Sequence, residues 1–375
     1  MKVKKNIDHV LAFYLPQFHP IKENNEWWGE GFTEWTNVTK SNKRFIGHRQ
    51  PQLPADLGFY DLRLSESREA QAELAKKYGV TGFCYYHYWF NGKQLLERPL
   101  QEVLASKKPD FPFCICWANE NWTRAWDGMD KQVLIQQDYT TDDSQKHFEV
   151  LLPYFQDERY IKIDNKPLFL IYRFDHIKDS GEYFAQWRLL AKKHGFNDLF
   201  ICAVKNGFVT DEPKRIISNG FDAVLDFQPN RKNFPTNTTG KQKVIQFAQK
   251  VLPSSFYQWL KVNGSAVNKI SYKGIVDGIV SSKWYDDCTV FPCVFPSWDN
   301  SARRKTPTVI QNDDPQEYKR WLKHAINIVA DNDEGKRIVF INAWNEWAEG
   351  CHLEPDTEMG HSFLQATKDA IGSLD

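Results

Sequence analysis

Arg337–Trp344 reads RIVFINAW and runs straight into Asn345–Asp356, NEWAEGCHLEPD. Ile338, Val339, Phe340 and Ile341 follow one another with no polar residue to face solvent, the habit of a parallel strand covered on both sides. Where that strand should end, the next fifteen residues hold two asparagines, two tryptophans and three glutamates. Buried parallel strands that open into polar and aromatic residues belong to folds whose sites sit at the carboxyl ends of the strands. The stretch therefore implies an α/β protein with its chemistry just past the last strand.

Seven more runs of the same kind come before it: HVLAFYL (9–15), VTGFCYYHYW (80–89), FPFCICWAN (111–119), PLFLIYR (167–173), LFICAV (199–204), FDAVLDF (221–227) and TVFPCVFPSW (289–298). Between and after them lie segments of helical periodicity at 66–78, 94–106, 143–155, 182–194, 209–218, 266–282, 315–331 and 361–372. The first, ESREAQAELAKKYGV, predicts an inner face of Ala70, Leu74 and Ala75 with Gly79 as its stop. Alternating strands and helices imply parallel pairing through right-handed crossovers. Eight such units in 375 residues predict a single (β/α)8 TIM barrel over 1–375 rather than a doubly wound sheet. No GxGxxG or P-loop follows the first strand, which weakens a nucleotide-binding reading. Long loop insertions at about 16–65 and 228–265 are expected to shape the C-terminal face.

The 48 basic and 48 acidic residues cancel, so no global field draws nucleic acid or an anionic membrane. No run is long enough to span a bilayer, and Val10–Leu15 is too short for a signal-peptide core. The seven cysteines are odd in number and mostly lie in apolar runs. A reduced, cytoplasmic protein is expected, with no nucleic-acid partner and no membrane insertion. His352 and Glu354 are too few for a metal site, and the acidic pairs Asp286–Asp287 and Asp313–Asp314 read as solvated loops, so no metal or cofactor is expected.

Aromatic residues form 15% of the chain and gather at the strand ends. The first strand ends at Tyr14, followed by Gln17 and His19; the second brings Tyr86, His87, Tyr88 and Trp89. The third brings Trp117, Asn119, Glu120, Asn121, Trp122, Arg124, Trp126 and Asp127. Tyr172 and Arg173, Asp226 and Gln228, and Trp298 end later strands, and the eighth opens into Asn342, Trp344 and Asn345. Aromatic faces stack on sugar C–H surfaces, and amides, acids and guanidinium groups pair with hydroxyls, so the expected partner is an oligosaccharide or polysaccharide. Glu30 and Glu34 in WGEGFTEW (28–35) are expected at the rim.

Glycoside cleavage needs two carboxyl groups about the anomeric carbon, one of them protonated. Glu346 and Glu349 are three apart; on a straight strand they would point to opposite faces, whereas a turn after Trp344 brings them together. Trp344 and Trp347 are expected to form the apolar wall that raises one carboxyl pKa. Glu120 is a third candidate, for hydrogen bonding or for catalysis.

YLPQFHP (14–20), WWGEGFTEWTNVTK (27–40), QPQLPADLGFYDLR (50–63), GFCYYHYWFNGKQLLERPL (82–100), CWANENWTRAWDG (116–128), KPLFLIYR (166–173) and NAWNEWAEGCHLEPD (342–356) resemble the WbsX-like family over most of 9–360. Its members are described as lipopolysaccharide or O-antigen glycosyltransferases and as similar to glycoside hydrolase family 99. The resemblance implies a (β/α)8 barrel and, from the hydrolase family's NEW..E motif, retaining chemistry. Glu349 would be the general acid/base, and Glu346 would deprotonate the sugar's 2-hydroxyl to give an epoxide-like intermediate. The WANENWTRAWDG block has no counterpart there, so its residues take only a binding role. A glycosyltransferase, with a lipid-linked glycan as acceptor, is the alternative, and a carbohydrate-binding barrel without catalysis is the second alternative.

Overall fold

The structure is a computed structural model that describes residues 7–124, 129–235 and 267–372. All eight sequence runs are strands: β1 His9–Tyr14, β2 Gly82–Phe90, β3 Phe113–Trp117, β4 Lys166–Ile171, β5 Phe200–Lys205, β6 Ala223–Asp226, β7 Val290–Val294 and β8 Ile338–Ile341. Every neighbouring pair is parallel, and β1 joins both β2 and β8, so the sheet closes into a barrel. Leu11 pairs with Phe340, Phe13 with Cys84, Tyr86 with Cys116, Leu170 with Cys202 and Leu225 with Phe291.

Strand side chains alternate between the barrel interior and the helix layer. Phe13, Phe291 and Phe340 pack on one another inside, with centroids 5.7 and 6.0 Å apart along the chain of contacts. The neighbouring Tyr14 points outward and donates its hydroxyl to Gln71 Oε1 at 2.6 Å. Gln71 lies on α3, Ser65–Lys77, whose buried face is Arg68, Gln71, Ala72 and Ala75. The expected Ala70–Leu74–Ala75 face is therefore rotated, because two polar residues turn inward to satisfy buried partners. Gly79 ends the helix at φ +86, and a Cβ there would come 2.9 Å from Ile371 Cδ1.

The other helices include α1 Lys22–Trp28 and α2 Glu34–Lys40 in the β1–β2 connection, α4 Arg98–Ser106, α5 Thr141–Phe155, α6 Ser180–Lys193, α7 Pro213–Ser218, α8 Tyr272–Ser281, α9 Pro315–Val329 and α10 Ser362–Gly372. In α9, Asp314 caps Gln316 N–H at 2.9 Å, and Tyr318, Trp321, Leu322, Ala325, Ile326 and Val329 form its buried stripe. Three helical segments begin well later than expected, α4 at Arg98, α7 at Pro213 and α8 at Tyr272. Lys93–Leu95 folds back on β2 as an antiparallel strand, and Asn268–Ser271 pairs with Thr308–Gln311. Most of the 228–265 insertion lies outside the described residues.

Candidate active site

Past β8 the chain is tied to β1: Trp344 N–H donates to Phe13 C=O at 2.8 Å, and the Asn345 side chain accepts from Leu15 N–H at 2.7 Å. Asn345–Glu346 then pairs antiparallel with Cys351–His352 around a 3₁₀ turn, Trp347–Glu349. Glu346 is the N-cap of that turn and Glu349 its last residue, and the reversal of the chain between them brings both side chains to one guanidinium. The turn closes at Gly350, φ +55, where a Cβ would come 2.9 Å from Asp299 Cβ and 3.0 Å from Asp299 N.

Both carboxyls line a cavity of about 640 Å³ at the carboxyl ends of the strands. Tyr88, Glu120, Asn121, Trp122, Tyr172, Trp298 and Asn342 share its wall, as the sequence suggested. Gln17 and Tyr86, also named at the strand ends, share it too, together with Trp28, Asn206, Phe208, Phe227, Arg231, Arg303 and Arg304. Asn121 Oδ1 accepts from Gln137 N–H at 2.7 Å, and Trp122 packs edge-on against Tyr88 at 5.1 Å. Asn342 Nδ2 donates to Gln228 C=O at 2.9 Å.

The centre of the wall is a guanidinium among three carboxyls. Arg303 Nη1 donates to Glu349 Oε1 at 3.0 Å, and Nη2 donates to Glu346 Oε2 at 3.2 Å and to Glu34 Oε1 at 2.6 Å. Glu34 is fully buried on α2, and the same oxygen accepts Ala348 N–H at 3.0 Å. It therefore stands behind the cavity rather than at its rim, while Glu30 is exposed. Burial pushes the Glu346 carboxyl up to about 8; Arg303 opposes this, and Glu349 and Glu34 add to it as like charges. Burial also raises Glu34, again against Arg303. Desolvation works against the charge of Arg303, yet Glu34, Glu346 and Glu349 hold its pKa above the ordinary value. Desolvation, with Glu346 next, keeps the Tyr88 phenol well above its usual range.

Several expected binding residues stand elsewhere, chiefly because they fall on the outward parity of their strands. Tyr14 bonds α3, as above. His87 Nε2 meets His147 Nε2 at 2.9 Å, and Trp89 donates to Asp143 at 2.8 Å, both partners on α5. Trp117 packs on Trp187 of α6 with centroids 6.4 Å apart. Asn119 accepts from Arg173 N–H at 2.7 Å and donates to Tyr139 at 2.9 Å. Asp226 accepts from Gln228 Nε2 at 3.1 Å, and Gln228 in turn accepts from Asn230 N–H at 2.9 Å. Trp344 packs on Phe83, and Asn345 fastens β8 to β1. These side chains hold the barrel mouth in shape and do not line the cavity. The Arg124 side chain, Trp126 and Asp127 lie outside the described residues.

The expected Trp344–Trp347 wall is likewise corrected. Trp347 stacks on His352 at 3.7 Å and donates to Glu354 Oε2 at 2.6 Å. Glu354 also accepts from Tyr60 at 2.7 Å and Gln71 at 2.6 Å, while burial raises its pKa to about 7. His352 and Glu354 thus brace the turn from behind. Residues that sequence reasoning missed include Arg303, on the loop after β7, and Phe208, on the loop after β5. Neither carries a local pattern; only the fold brings them to the cavity.

A family model described as Glycosyltransferase WbsX matches residues 10–367. The uncharacterized protein WxcX of Xanthomonas campestris pv. campestris is 38% identical over 364 residues in one strain and 39% over 366 in another. Each match takes in 96% of this chain and 49% of the relative, so the chain spans about half the length of the curated relatives it matches. Among solved structures, the GH99 endo-alpha-mannosidase from Bacteroides thetaiotaomicron superposes with TM-score 0.57 at 15% identity, over 98% of both chains. A glycoside hydrolase-like protein superposes with TM-score 0.59 at 14% identity, over 99% of this chain and 96% of that one. At such identities the likeness concerns the fold, a TIM barrel.

Proposed function

The chain belongs to the family described as Glycosyltransferase WbsX, and from that premise we propose that it is an enzyme acting on the glycosidic bonds of a bacterial surface or related polysaccharide, with Glu346 and Glu349 as its working pair. The observation that carries the reading is that the two carboxyls, at the N-cap and the last residue of one 3₁₀ turn, line one aromatic cavity and meet the same guanidinium at 3.2 and 3.0 Å.

In the first step Glu349 gives its proton to the leaving oxygen as the bond to the anomeric carbon breaks. Glu346 takes the proton of the sugar's 2-hydroxyl, and that oxygen closes on the anomeric carbon. In the second step Glu349 takes a proton from water as it opens the three-membered ring, and Glu346 returns its proton to the 2-oxygen. Each carboxyl ends as it began, and the anomeric configuration is retained. Burial, with Glu349 and Glu34 as like charges, raises the Glu346 carboxyl to about 8, and Arg303 opposes this by favouring its ionised, basic form. Arg303 bonds both carboxyls and stabilises charge on either.

The description of the family supports a second reading, sugar transfer, for which a lipid-linked glycan is the acceptor we propose. The seven unpaired thiols fit a reducing, cytoplasmic setting for it. Among the described residues no helix is long and apolar enough to cross a membrane. Incubation with UDP- and GDP-sugars, and separately with bacterial surface glycans, separates the readings. Cleavage or exchange of glycans without a nucleotide donor supports the first; strictly donor-dependent transfer supports the second.

A further inference from the structure

Of the large apolar side chains that are exposed among the described residues, Phe208 alone lines the cavity, and it is 70% exposed. Its backbone is pinned. Asn206 Oδ1 accepts Phe208 N–H at 3.0 Å, Asn206 Nδ2 donates to Tyr172 C=O at 3.3 Å, and the following Val209 is buried. Its ring is pinned as well, because the Arg173 guanidinium lies 5.0 Å from the ring centroid. Arg173 is itself fixed by Asp175 at 2.9 and 2.8 Å and by Glu120 at 2.8 Å.

A ring so firmly held and so little buried gains little from packing. It is pre-organised with apolar surface facing a polar hollow, which suits the C–H face of a pyranose better than water. Around the ring of eight strands, β5 stands three places from β8, so Phe208 faces the glutamates across the mouth. Resting on the carbohydrate reading above, we propose that Phe208 is the stacking platform of a separate sugar subsite, which seats a residue of an oligosaccharide chain beyond the one held at Glu346 and Glu349. The favoured ligand is therefore longer than one sugar, and Glu120 serves the subsite as a positioning residue through Arg173.

The test uses the full chain carrying Glu349→Gln, screened on a printed array of bacterial surface oligosaccharides. Affinities for the best-bound oligosaccharide and for its component monosaccharides are then measured by calorimetry. Adding Phe208→Ala is expected to weaken the oligosaccharide about 10-fold while leaving monosaccharide binding and the melting temperature unchanged. Phe208→Trp is expected to restore the affinity. An oligosaccharide bound equally well by the Phe208→Ala chain, or a loss equal for oligosaccharide and monosaccharide, overturns the subsite and leaves the glutamate reading standing. A parent chain that binds no glycan overturns both.

Discussion

Arg303 donates Nη2 to Oε1 of Glu34 across 2.6 Å, although 269 positions separate the two in sequence. Glu34 has no exposed surface and the Arg303 side chain is 11% exposed, so the pair is out of water and each partner depends on the other.

Removing Glu34 leaves a buried guanidinium short of its nearest carboxylate. Glu34→Ala is expected to lose about 3 kcal/mol of stability in denaturant unfolding. Activity should fall through kcat more than KM, since Glu34 does not line the cavity. Glu34→Gln keeps an acceptor for Ala348 N–H and should lose less. Wild-type stability in Glu34→Ala would contradict the pairing.

The two proposed catalytic carboxyls predict separable losses. Glu349→Gln should abolish turnover and leave glycan affinity within a few-fold of wild type. Glu346→Gln should lose roughly 10²-fold or more, as expected for a positioned base. Kinetics with a cleaved glycan, alongside calorimetry, check both. Full activity in either variant removes that residue from the mechanism.

Glu346 also sets a pH dependence. Its folded value, about 8, exceeds the ordinary carboxyl value of 4.5. The stability that goes with its protonated form is complete below 4.5 and is lost as pH rises through 8. The ionised form of Glu346 is also the base that takes the 2-hydroxyl proton. Activity is therefore expected to rise as pH approaches 8, and Glu346→Gln should gain melting temperature relative to wild type between pH 5 and 9. A flat difference across that range contradicts the burial argument.

The histidine pair behind the wall has the opposite sign. Burial lowers His87 to about 3 and holds His147 well below its usual value; Trp89 stacks on His147 at 4.8 Å, while Asp143 faces Trp89. Neutral, buried histidines contribute stability that is present above pH 6.5 and is lost as pH falls from there toward 3. Unfolding midpoints measured across that window should drop by an amount worth a few kcal/mol. A His87→Phe, His147→Phe double variant should drop less.

The barrel was legible because eight apolar runs each became a strand, and the last run, Ile338–Ile341, opened into the cavity it implied. The wall was only half legible. In β2 the residues were read as one block, yet Tyr86 and Tyr88 face the cavity while His87 and Trp89 face α5. A period of two fixes that division, and strict use of it would have set Tyr86 and Tyr88 apart from His87 and Trp89. The convergence of Glu346 and Glu349 depends on a 3₁₀ turn closed at Gly350, which the run AWNEWAEG hints at without dictating. Arg303 was illegible: in DNSARRKTP it looks like one cation among several. Its role comes from three carboxyls that lie on α2 and on the turn after β8.

The most direct test is a crystal structure of the Glu349→Gln chain with the oligosaccharide it binds best. The 2-hydroxyl of the sugar at the scissile bond should lie within hydrogen-bond distance of Glu346, with the bridging oxygen beside residue 349. A glycan seated outside this cavity, or one whose 2-hydroxyl points away from Glu346, contradicts the account.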